Sequence, residues 1–337
     1  MILSESNTAF CKLNGKAIFW KIIQPTCYVM KLTIRRHFLL FFALTLISTS
    51  FFSHTSPQQA RSKVLIITGQ NNHTWRRTTP LIEDILEESG KFDITLSMTP
   101  APGAKEEVWV NWQPEFSDYD VILNNYNGEM WPEPTRKSFE DYISEGGRAL
   151  MIHAANNPFE GWTEYEKMVG LLWRNNTGGD RLYMEDDGSV VRVPSGQGLK
   201  AGHGRVHDWT ITTRDADNPI MKGVPTTWLH ANDELYHGQR GPAEDMRILA
   251  TAYSTKESGG TGKHEPQIWW IPYGEGKVLT FLPGHLWPTQ KEDTAFRCVG
   301  FRTLLNRSVE WLATDQVTIP IPSNFPGENT TSVLPPS

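Results

Sequence analysis

The stretch from Gly146 to Phe159 constrains the fold more than any other. The glycine pair Gly146 and Gly147 ends a helix-like segment and the apolar run Ala149 to Ile152 follows. That run stops at His153, among Ala154, Ala155, Asn156 and Asn157. A short unbroken apolar run bounded in this way is the pattern of a strand buried on both faces of a parallel sheet. In open α/β sheets ligands sit beyond the carboxyl ends of the strands, so a polar residue there carries weight. A lone histidine in such a place is more often a hydrogen-bonded structural residue. His153 stands out because three other runs end alike.

The first of these is Lys63 to Thr68, closed by Gly69 and followed by Gln70, Asn71, Asn72, His73 and Trp75. Thr78, Thr79 and Pro80 read as the cap and first turn of a helix ending at Gly90, so the opening is a βα unit. Phe92 to Leu96 reads as an outer strand. Asp120 to Asn124 is the next buried run, ending in Asn125, Tyr126, Asn127 and Gly128, and a helix from Glu133 to Gly146 leads back to the His153 strand. Residues 174–205 hold seven glycines and little apolar periodicity, so they read as a long loop with a short hairpin near Val190 to Val193. Loops of that length inside a compact domain are commonly functional. Trp209 to Thr212 and Arg247 to Tyr253 read as strands, whereas His230 to Gly238 shows neither helix nor strand period. Gln267 to Ile271 and Lys277 to Leu282 form a late strand pair ending at Gly284 and His285. A last helix is expected from Asp293 to Leu312, with a Pro-rich tail on the surface or disordered beyond it.

The N-terminal stretch has another character. Lys31, Arg35 and Arg36 precede the 15-residue apolar run Phe38 to Phe52, which a polar segment follows. That is the plan of a secretory signal starting at Met30, and the run is short of the about 20 residues a spanning helix needs. The Arg35-Arg36 pair also fits a twin-arginine signal. The expected organisation is therefore an extension and signal over 1–60, an α/β domain over 61–315 and a tail over 316–337, with the mature protein periplasmic or extracellular and without a membrane span. Beyond residue 60 the chain keeps 26 basic against 37 acidic residues, a balance that argues against nucleic acid as a partner. Only Cys298 survives processing, which excludes an intrachain disulfide and a thiolate metal site.

If the four runs are parallel neighbours, their ends bring His73, Asn125, Asn127, His153, Asn156 and His285 to one crevice. Trp75, Trp131, Trp162, Trp173 and Trp287 follow those same ends, and a polar crevice with flat aromatic walls suits a sugar ring. About half of the tryptophans are expected to be core instead. Asp233 and Glu234, flanked by His230 and His237, form the best carboxylate pair for acid/base work or for orienting a histidine. Only one of the two is expected to face the crevice. His203 and His207 are four apart, the spacing of metal ligands on one helix face, although Gly202 and Gly204 argue against a helix there. A divalent metal such as zinc is the cofactor this histidine content allows. No dinucleotide-binding glycine fingerprint and no serine nucleophile elbow is present.

These stretches, with His230 to Tyr236, His264 to Pro266 and Tyr273 to Val278, resemble in order those of the ThuA-like (trehalose-utilisation) family over about residues 63–315. The resemblance implies a flavodoxin-like, class I glutamine-amidotransferase-like three-layer α/β sandwich with a mostly parallel central sheet. The amidotransferases of that superfamily carry a nucleophilic cysteine at the turn where this chain has His153, so glutamine hydrolysis through a thioester is not expected. Family members are associated with disaccharide uptake and breakdown beside sugar dehydrogenases that make 3-keto-glycosides. The resemblance thus implies a carbohydrate substrate, an oxidised one included, and the clustered strand ends suggest a hydrolase or lyase acting on it by acid/base chemistry. In that reading His153 or one of Asp233 and Glu234 would be the catalytic base with His285 as its partner, and His73, Trp75, Asn125, Asn127, Asn156, Trp162 and Tyr236 would bind substrate. A non-catalytic sugar-binding module using the same crevice is the alternative.

Overall fold

A computed structural model describes residues 60–336. The expected signal, with Met30 and the arginine pair, lies outside the described residues. The chain runs through β1 (Ser62–Thr68), α1 (Trp75–Glu88), β2 (Phe92–Met98), α2 (Glu106–Val110), β3 (Val121–Asn124), α3 (Glu133–Ser144), β4 (Arg148–Ile152) and α4 (Thr163–Val169). Then come β5 (Asp180–Met184), β6 (Val190–Val193), β7 (Gly202–His203), β8 (His207–Thr213), β9 (Thr227–Asp233), β10 (Tyr236–His237), β11 (Arg240–Gly241) and β12 (Arg247–Tyr253). The last elements are β13 (His264–Tyr273), β14 (Gly276–Phe281), α5 (Thr294–Arg297) and α6 (Val299–Thr314).

The centre of the sheet is β2-β1-β3-β4-β14, parallel throughout. Apart from β2, the exposed edge strand, its strands read as unbroken apolar runs because both faces are covered, and their alternate residues divide between two cores. Val64, Ile66, Leu123, Leu150 and Ile152 meet Ile82, Ile85 and Leu86 of α1 and Phe301, Leu304 and Leu305 of α6 on one side. Leu65, Ile67, Ile122, Ala149 and Met151 meet Phe139 and Ile143 of α3 and Tyr165 and Met168 of α4 on the other. This is the three-layer α/β sandwich. Beyond β14 the sheet continues antiparallel through β13, β12, β8 and β9, and β5, β6 and β11 branch from it. That extension brings residues 227–237 back towards the parallel strand ends. Among the described residues no helix is long and apolar enough to cross a membrane.

Three local expectations change. Helix α1 starts at Trp75 rather than Thr78, because Thr74 takes a left-handed φ of 38° and its carbonyl accepts the Arg77 and Thr78 N–H groups. Thr78 and Thr79 do not cap it; their buried hydroxyls accept from Asn125 Nδ2, each at 3.0 Å. The final helix is broken at Cys298, whose extended backbone bridges to Val333 and so ties the tail down. Residues 230–233, read as periodless, belong to β9; a register shift in its partner β8 and a left-handed Asn232 (φ 47°) blur the alternation.

Candidate active site

The four parallel strand ends converge. His73 follows β1, Asn125 follows β3, His153 follows β4 and His285 follows β14, so their loops open on one rim of the sheet. The rings of His73 and His153 lie 4.5 Å apart, those of His73 and His285 5.2 Å, and those of His153 and His285 5.7 Å. All three histidines are buried, and Glu234 is buried with them.

Each group is held by a contact that follows from its loop. His153 has a left-handed φ of 46°, a strained conformation costing on the order of 1–3 kcal/mol that tends to persist at functional sites. Its Nδ1 lies 2.6 Å from the Leu282 carbonyl and so carries the proton, which leaves the Nε2 lone pair facing the cluster. His73 is fixed through its backbone, since its N–H donates to Asn71 Oδ1 at 2.8 Å. Asp233 Oδ2 accepts the Gly284 N–H at 2.8 Å and Oδ1 accepts the His285 N–H at 3.0 Å, which fixes the loop that carries His285.

The adjacent carboxylates face different surroundings, as expected of neighbours in an extended chain. Asp233 also accepts from His230 Nε2 at 2.7 Å and is fully buried, so it is a clamp rather than a group open to a ligand. Glu234 faces the histidines. Its Oε1 accepts from Trp287 Nε1 at 2.9 Å and lies 3.2 Å from His285 Nε2 and 3.4 Å from His203 Nδ1.

Electrostatics follow from this burial. Burial, with the neighbouring imidazoles, drives His73 far below the usual histidine range, and burial lowers His153 although Asp233 pulls it the other way. Burial and His153 lower His285 to about 3. Burial pushes Glu234 up to about 7, the Trp287 hydrogen bond opposing and the Asp233 charge adding. Near neutral pH the three imidazoles are therefore uncharged bases or ligands. Among the described residues, His73 Nδ1 and Nε2, His153 Nε2, His285 Nδ1 and Nε2 and Glu234 Oε2 are buried without hydrogen-bond partners. An unpaired buried polar atom costs about 1–3 kcal/mol, so this cluster of them is the feature that singles out the candidate site.

Other expected residues divide. Tyr236 joins the cluster, its ring 4.4 Å from His153 and 4.7 Å from Trp173. Asn156 is buried behind it, donating to Gln239 Oε1 at 2.8 Å. Asn125 serves as a strut to the α1 threonines, and its Oδ1 and carbonyl face Asn71 Nδ2. Trp75 and Asn127 line a separate neighbouring depression with Gln70, Asn71 and Asn72. Trp162 is not at the crevice: at the start of α4 it packs in the helical layer against Trp131, Phe159 and Tyr165. His203 and His207 do not form a ligand pair, because they sit on different strands, β7 and β8, with no helix to align them. His207 Nδ1 instead faces the Arg205 carbonyl at 2.8 Å. His203 stands at the mouth, where a depression of about 380 Å³ is lined by Glu160, Trp173, Arg174, Lys200 and His203. The role of Trp287 as donor to Glu234 was signalled only by its place two residues after His285. His230 was signalled only as a flank of the carboxylate pair, and its contact with Cys298 left no signal, because Cys298 comes from a distant segment.

A family model described as ThuA, trehalose utilisation, matches residues 63–312. Among solved structures, a ThuA-like protein from Parabacteroides merdae is 38% identical with a TM-score of 0.77, covering 81% of this chain and 98% of that one. Another, from Bacteroides uniformis, is 17% identical with a TM-score of 0.51, covering 77% of this chain and 95% of that one, a likeness of fold. No curated protein matches the chain.

Proposed function

The chain belongs to the ThuA family, and on that premise we propose that it is an exported carbohydrate-active enzyme cleaving a glycosidic bond by acid/base hydrolysis or elimination beside a ketone. The observation that carries this reading is the group of unpaired buried atoms on His73, His153, Glu234 and His285 beside an aromatic-edged depression. That depression falls within the about 300–1,000 Å³ typical of small-ligand sites, and the Trp173 ring offers a flat face for a sugar. The family description, trehalose utilisation, points to a disaccharide.

A ketone at C3 acidifies the C2–H bond. In this reading His153 Nε2 takes that proton and the C–H electron pair becomes a C1–C2 double bond. The C1–O bond breaks with its pair on the departing oxygen, which collects a proton from His203 at the mouth. His73, His285 and Glu234 face the ketone oxygen on which charge builds. Asp233 is a positioning residue, acting through the His285 backbone. A placed base contributes about 10²–10⁴-fold.

The test is incubation of the full chain with 3-keto-trehalose, other 3-keto-glucosides and their unoxidised parents, with product analysis. Release of free sugar from the keto substrates alone, abolished by His153→Ala, is the expected result. Unchanged substrate at high enzyme concentration, with and without divalent metal, would sink the reading. Saturable binding of the unoxidised sugars without turnover would favour a sugar-binding module.

A further inference from the structure

We propose that His73, His285 and Glu234 bind a single divalent transition-metal ion, zinc being the ion their donors suit. One ligand atom from each lies within 4.8 Å of the others, and all three residues are buried. For one pair, His285 and Glu234, the spacing is close to that of ligands sharing an ion. Two donors each about 2.1 Å from a tetrahedral zinc stand about 3.4 Å apart. His285 Nε2 and Glu234 Oε1 are 3.2 Å apart, yet no hydrogen bond joins them, since His285 Nε2 lacks a partner among the described residues. Proximity without a hydrogen bond, between two buried groups, has an ordinary explanation in a third partner.

The donor chemistry agrees. Two imidazoles and a carboxylate, with no thiolate, form a set that borderline divalent ions accept, and three protein ligands leave one position open, as in zinc sites that act on substrates. The supports are in place: Asp233 fixes the His285 backbone, and Trp287 holds Glu234 Oε1 while Oε2 stays free. His153 stays outside the ligand set as the neighbouring base, with Nδ1 committed to Leu282. An ion here would polarise a substrate oxygen. The inference concerns the pocket of the proposed reaction but rests on ligand geometry, and it holds whatever the substrate.

The test uses the full chain, stripped with a chelator and titrated with Zn²⁺ by calorimetry, with elemental analysis of the dialysed product. One zinc per chain is expected, with affinity falling at least about 100-fold in His73→Ala and in Glu234→Gln. His207→Ala should keep both stoichiometry and affinity. Because a buried substitution can unfold the chain, Co²⁺ provides a second measurement on the unaltered protein: intense visible bands of a four-coordinate ion are expected. Failure of the folded wild type to take up Zn²⁺, Co²⁺, Mn²⁺ or Ni²⁺ overturns the site, as does binding that survives His73→Ala but not His207→Ala. Metal binding without turnover of any keto-glycoside supports the site and sinks only the reaction.

Discussion

Two buried sets of histidines lie on either side of Asp233, and their chemistry is opposite. On the core side His230, closed in by Trp209, Trp228 and Phe301, donates to Asp233 and stands beside Cys298. Burial alone would lower it, but Asp233 and Cys298 outweigh burial and raise it to about 10, while the same pairing holds Asp233 below the usual carboxylate range. On the rim side His73, His153 and His285 are as deeply buried but lack an accepting carboxylate of their own, and burial drives them neutral. Burial alone therefore does not distinguish a structural histidine from a functional one. The kind of partner does: the core histidine gives its Nε2 to the Asp233 carboxylate, whereas Nε2 of each rim ring has no partner among the described residues, and an unpaired Nδ1 on His230 shows that a single bare nitrogen is not enough to mark a site.

The hardest blow to this arrangement is Asp233→Ala. It strands a charged His230 in the core and releases the Gly284 and His285 N–H groups together. Breaking a buried ion pair from one side costs about 3–5 kcal/mol, so denaturant unfolding should show a loss of that order. A loss under about 1 kcal/mol would mean that His230 is neutral and the contrast between the two sets false.

His153→Ala should behave in the reverse manner. The substitution removes the unpaired Nε2 but also the Nδ1 donor to the Leu282 carbonyl, and it keeps the left-handed backbone, so folding stability should fall by only about 1–3 kcal/mol while turnover of a keto-glycoside falls about 10²–10⁴-fold. Parallel unfolding and rate measurements check this, and a large stability loss with turnover retained would move His153 into the structural set.

Much of this contrast could be read before any coordinates. The parallel strands are legible because burial on both faces leaves unbroken apolar runs, and a histidine or amide at the end of such a run is conspicuous. His73, His153 and His285 were found in that way. The antiparallel half was harder. His230 sits on a strand whose alternation is blurred by the left-handed Asn232, and its partners Phe301 and Cys298 come about seventy residues later, at a distance no local pattern reports. The separate fates of Asp233 and Glu234 depend on which loops meet them, Gly284–His285 for one and Trp287 for the other. Trp162 illustrates the same limit: its spacing from His153 suited a crevice wall, but the helix it opens turns it into the aromatic layer beside Trp131.

The two sets also give opposite slopes of stability against pH. A group whose folded pKa is raised above the ordinary 6.5, as for His230, contributes stability in full below that value and loses it as pH rises through about 10. Groups whose folded pKa is lowered, as for His153 and His285, favour folding less as the medium is acidified below 6.5, because the unfolded chain takes up the protons first. Unfolding in chelator across pH 4.5 to 10.5 should then show a maximum in about the pH 6–7 region, each limb limited to about 1.4 kcal/mol per pH unit per titrating group. His285→Asn should flatten the acid limb alone. A substitution that flattens both limbs would mean that the sets are coupled through Asp233 rather than separated by it.

The smallest expected effect is also the most specific. Cys298 is buried against His230, and although burial raises a thiol, His230 holds it below its ordinary value, so each favours the charged form of the other. Cys298→Ala deletes one small buried atom, which costs about 1 kcal/mol at pH 7, comparable with losing a methyl group from a core. Its distinctive signature lies in the alkaline limb, which should begin to fall at lower pH because His230 has lost one of the two neighbours that raise it. The acid limb should stay where it was, since neither His153 nor His285 draws on Cys298. Guanidinium unfolding of the variant at pH 5.5, 7 and 9 measures this: an equal loss at all three would reduce Cys298 to packing, whereas a loss that grows only towards pH 9 would assign the thiol to the charged core set.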